Sequence, residues 1–89
     1  MLGLFRKPDP ARLAATDRLK AATRRLLDLS EDVTISVNEI ACGDPACPGG
    51  VETVILTRAK GTPTKAAKVP GPIEAVTDAA LARALGVGP

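Results

Sequence analysis

Between residues 10 and 29 the apolar positions Ala15, Leu19, Ala22, Leu26 and Leu29 recur at spacings of four, three, four and three. That is the period of one stripe on an amphipathic helix. Arg18, Arg24, Arg25 and Asp28 fall away from it, toward water. Asp9 can cap the first turn, and Pro10 sits at the first helical position, where a missing N–H costs nothing. The pattern predicts a helix from about Pro10 to about Leu29.

The period then changes. Val33, Ile35 and Val37 alternate with Thr34, Ser36 and Asn38, the signature of a half-buried strand. "VETVILTR" is apolar and β-branched on both faces: Val51, Thr53 and Ile55 on one, Val54 and Leu56 on the other. Such a strand tends to be central. "KGTPT" punctuates with Gly61 and Pro63. "KAAKV" reads as a short third strand, with Lys65 and Lys68 guarding an edge. "PGPIEAV" reads as irregular. "TDAALARALG" is a short helix, capped by Thr77, favoured by Asp78 at its positive end, buried through Leu81 and Leu85, and ended by Gly86.

The order α-β-β-β-α predicts an α+β fold: a three-stranded antiparallel meander with a long N-terminal and a short C-terminal helix. Residues 10–89 make a single small domain, and residues 1–9 a flexible N-terminal segment. If both helices pack on one face, Val54 and Leu56 leave apolar surface on the other, which argues for a homodimer.

Composition sharpens this. Of 89 residues, Phe5 is the only aromatic and Met1 the only methionine, so the core must be built from Ala, Val, Leu and Ile. Net charge is +2 but uneven: residues 1–29 hold seven basic and three acidic side chains, residues 30–58 one basic and five acidic. A basic helix beside an acidic hairpin suggests internal complementarity more than a nucleic-acid footprint. Arg18, Arg24 and Arg25 are the residues that an alternative nucleic-acid or phosphate-surface role would use. There is no histidine, tyrosine or tryptophan. That removes Ser-His and Cys-His catalysis, histidine metal sites and aromatic stacking platforms from this chain. The expectation is a non-catalytic protein. No stretch is long enough to span a bilayer, and "MLGLFRK" does not read as a signal peptide, so the expected location is cytoplasmic. A membrane-touching or partner-hooking use of Leu2, Leu4 and Phe5 ranks below a loose tail.

The remaining chemistry is concentrated in "ACGDPACPGG", residues 41–50. Asp44-Pro45-Ala46-Cys47 suits a type I turn, and Cys47-Pro48-Gly49-Gly50 a type II turn. Two turns in tandem make a broad hairpin tip, with Glu39 and Glu52 expected as an acidic rim. Cys42 and Cys47, with Asp44, could hold a soft ion such as Cu(I), or half of a zinc shell. They could also form a thiol–disulfide pair, slow because neighbouring acids disfavour thiolate, or simply pack. The sequence leaves these three open. It points to a small accessory or adaptor protein whose tip meets a protein partner through Glu39, Pro45, Pro48, Gly49 and Glu52. A thiol–disulfide redox protein is a further alternative.

Overall fold

A computed structural model of the chain describes residues 9–87. The flexible segment expected at the N-terminus, including Leu2, Leu4 and Phe5, falls almost wholly outside them. Helix α1 spans Pro10–Leu26. The Asp9 carboxylate accepts the Ala11 N–H at 3.0 Å, so the cap and Pro10 act as the sequence predicts. The helix ends three residues earlier than its apolar stripe. Asp28 turns to a φ of 52°, its N–H donates to the Arg25 carbonyl at 3.3 Å, and the Leu29 N–H donates to the Arg24 carbonyl at 2.9 Å. This Schellman closure uses up the last carbonyls, and it still leaves Leu29 packed against the core.

Three strands follow: β1 (Thr34–Ala41), β2 (Val51–Arg58) and β3 (Lys65–Pro70). They form one antiparallel sheet in the order β1-β2-β3. The short helix α2 spans Asp78–Ala84, and its Thr77 cap accepts the Ala80 N–H at 3.1 Å. The order is α-β-β-β-α, as expected.

Both helices cover the same face of the sheet. Ile35, Ile55, Ala67 and Val69 meet Leu19 and Ala22 of α1 and Leu81 of α2 in one cluster. In the register, Ile55 of β2 stands between Val37 and Ala67, so the covered face carries the odd-numbered residues. Leu19 and Leu81 are fully buried and Ile55 is 1% exposed; truncating any one of them to alanine should cost about 2–5 kcal/mol. The segment read as irregular does more than connect. One 3₁₀ turn, Ile73–Ala75, drops Ile73 and Val76 into the same cluster. Thr23 is buried within α1, and its hydroxyl has no hydrogen-bond partner among the described residues.

Candidate functional site

The tip grows out of the β1–β2 ladder. The Cys42 N–H donates to the Gly50 carbonyl at 2.9 Å, one step beyond the last strand pair. Asp44 then closes the first turn twice: its carboxylate accepts the Ala46 N–H at 2.9 Å, and its carbonyl accepts the Cys47 N–H at 3.0 Å. The Gly50 N–H donates to the Cys47 carbonyl at 3.0 Å and closes the second. Gly49 has φ 69° and ψ 7°, which is the left-handed third position of a type II turn and the reason for glycine there. Two turns in tandem therefore close where the sequence places them, each with its own hydrogen bond.

Cys42 and Cys47 face each other and are joined by a disulfide, with their Cα atoms 6.3 Å apart. In this bonded state neither sulfur is a thiolate. The Asp44 carboxylate is occupied by its own loop. Among the described residues no three His, Cys, Asp or Glu side chains gather to hold a metal ion. What the arrangement can do is exchange: a reductant would convert the bond to two thiols and release the loop.

The acidic rim needs correction. Glu39 pairs with Thr53, and Glu52 pairs with Ile40. A one-residue offset places the two carboxylates on opposite faces of the sheet. Glu39 turns toward the helices, where it accepts from Arg12 Nη2 at 2.9 Å and from the Ile73 N–H at 3.1 Å. Its role there is to fasten α1 and the 73–75 turn to β1. Arg12 also pairs with Glu74 at 3.1 Å. The hydrogen bond from Arg12 holds the Glu74 carboxyl below its ordinary value of 4.5, and the same bond raises the Arg12 guanidinium further. Asp44 is the acid left beside the sulfurs.

Pro48 leans on a second element. Gly71 is buried with φ 106°, and a Cβ placed there would lie 3.7 Å from carbons of the Pro48 ring. The Gly71 N–H donates to the Val51 carbonyl at 2.9 Å, and its own carbonyl accepts from Thr53 Oγ1 at 3.0 Å. The tip therefore rests on the β3–α2 connection. Sequence reasoning missed this support; the "PGP" at residues 70–72 was its only signal. The tip's outer surface is open: residues 43–46 and 48–50 are exposed, and both cysteines are half-buried.

The basic helix is largely engaged. Arg18 bonds Asp78 at 2.9 Å and the Val76 carbonyl at 2.6 Å. Arg24 bonds the Ser30 carbonyl and, at 3.2 Å, the Val33 carbonyl. Arg25 is exposed. Arg12, Arg18 and Arg24 thus clamp α1 to the sheet, to α2 and to the loop before β1. Among the described residues no helix is long and apolar enough to cross a membrane. Fold and site together define a small two-layer α+β protein with a disulfide-closed hairpin tip. Comparison with protein-family models, curated proteins and solved structures found no match to the chain.

Proposed function

We propose that the protein is a small non-catalytic accessory or adaptor module that offers its 41–50 tip to a protein partner. The observation that supports this is a loop both exposed and pre-shaped. Its outer residues lie open to solvent, while one disulfide and four hydrogen bonds hold its form. A loop shaped before docking loses little conformational entropy on binding. Binding groups commonly sit on loops carried by a rigid scaffold. Pro45, Ala46 and Pro48 supply compact apolar contact, and the glycines leave backbone groups within reach of a partner.

Photo-crosslinking tests it. A crosslinker replacing Ala46 should trap a discrete protein in the native cell, and the joint Cys42→Ser, Cys47→Ser substitution should abolish that adduct. The same crosslinker replacing Lys20, on the helix, serves as the control. Identical adducts from both positions, or an adduct indifferent to the cysteines, would overturn the proposal. The soft-metal version needs both sulfurs reduced, so titrating reduced protein with Cu(I) and Zn(II) against the double serine variant separates a metal-carrying tip from a purely protein-binding one. Location bears on the same point: in a reducing cytoplasm the bond would open, whereas an oxidising compartment would keep the tip closed.

A further inference from the structure

The sheet has a second face that neither helix covers. Thr53, Ile55 and Thr57 of β2 are buried on the helix side; by the alternation of a strand, Glu52, Val54, Leu56 and Arg58 project from the other. Read along β2, that face runs acid, apolar, apolar, base. Neither Glu52 nor Arg58 has an ion-pair partner among the described residues. Val54 is 9% exposed and Leu56 is half-buried.

We propose that this face binds a second copy of the chain, sheet against sheet, with the two β2 strands antiparallel. The charge pattern selects the geometry. A two-fold axis lying in the interface and perpendicular to β2 sets Glu52 of each copy against Arg58 of the other, and Val54 against Leu56 between them. An axis parallel to β2 would set Glu52 against Glu52 and Arg58 against Arg58, which opposes association. The favoured arrangement is isologous, so each complementary contact occurs twice. Lys68 is the other charge near the seam. It pairs with Val54, and Ala66 pairs with Leu56. Lys68 therefore faces Ala66 of the other copy, whose small side chain leaves room for the lysine stem to run out to water at the sheet edge.

The occupant follows from the same pattern. A surface that is acidic at one end, basic at the other and apolar between is complemented by its own reversal. This chain carries that reversal. Three strands about 4.8 Å apart, with four outward rows, bury roughly 400 Å² per copy. That is below a standard interface, so association is weak. The arrangement does not depend on the tip, which would stand at opposite ends of the pair.

Sedimentation equilibrium from roughly 5 µM to about 500 µM tests it. Wild-type protein should show a monomer–dimer equilibrium. Glu52→Arg alone and Arg58→Glu alone each write two like-charge contacts, and each should weaken association about tenfold or more. The double reversal E52R/R58E should restore it to within about threefold of wild type, because the pattern is re-created with the signs exchanged. Circular dichroism on each variant confirms that the fold is kept. A wild type that stays monomeric throughout, association that ignores both single reversals, or folded single variants that the double reversal fails to rescue would each overturn the proposal.

Discussion

Asp28 and Gly86 hold the same position in the caps of the two helices: each lies just past the last turn with positive φ, 52° and 77°. In α2 the Gly86 N–H donates to the Arg83 carbonyl at 3.1 Å and the Val87 N–H to the Ala82 carbonyl at 3.0 Å. The same pair of bonds closes α1 at Asp28 and Leu29. Only at α2 does the chain use the residue that suits the conformation. Asp28 crowds its Cβ against the backbone and sets a negative charge at the negative end of a helix. Asp28→Gly is expected to stabilise the fold by about 1 kcal/mol, a rise in Tm of roughly 4–8 °C. A melt showing no rise would contradict this reading of the cap.

Thr23 offers a second gain. Its hydroxyl is buried and unpartnered among the described residues, so it has lost water without a replacement bond. Thr23→Val keeps the shape and removes the polar atom. Stability to urea should rise by about 1 kcal/mol, with little change in the denaturant slope. A loss of stability would mean that the hydroxyl makes a bond within its own helix.

The Arg12–Glu74 pair predicts a pH dependence. Glu74 has a folded value below its ordinary one. Its contribution is therefore fully present above the unfolded value and is lost as pH falls through the lowered folded value. Urea midpoints of wild type and Glu74→Gln, followed from neutrality to about pH 3, should be separated at the neutral end and converge at the acid end. Arg12 stays charged throughout and keeps Glu39 as a partner in the variant. A gap constant across the range would show that the effect is not the ion pair.

The disulfide joins cysteines five residues apart. In the chain-entropy account so short a loop contributes about 2 kcal/mol. Cys42→Ser with Cys47→Ser, or reduction of the wild type, should lower stability by about that amount while the helices and sheet persist. Far-ultraviolet dichroism with and without reductant would show this. A global collapse on reduction would mean that the tip nucleates the sheet.

Patterns confined to neighbouring residues were legible in the chain. Asp9, Pro10 and Thr77 marked the helix starts, the alternation around Ile35 marked β1, and prolines and glycines marked both turns of the tip. These signals are local, and their physics is local. The end of α1 was misplaced because Leu29 continues the stripe in sequence while Asp28 breaks the helix in space. The carboxylates were misjudged because Glu39 and Glu52 flank the tip symmetrically along the chain, yet the register offsets them by one residue. Such an offset is set by the tip's length and leaves no mark on composition. The partnerships of Arg12 and Arg18 span 58 to 62 residues where they reach Glu74, Asp78 and Val76, a separation across which periodicity carries no information.

The seating of Pro48 against Gly71 ties an exposed loop to a buried stretch of the chain. Two residues beyond Gly71 the chain delivers Ile73, then Val76, into the interior. A partner that pushed the tip sideways would strain the same short stretch that anchors those side chains. Engagement at the surface would accordingly register as altered amide exchange at residues 73–76, and the hairpin would behave as a lever hinged on a single glycine.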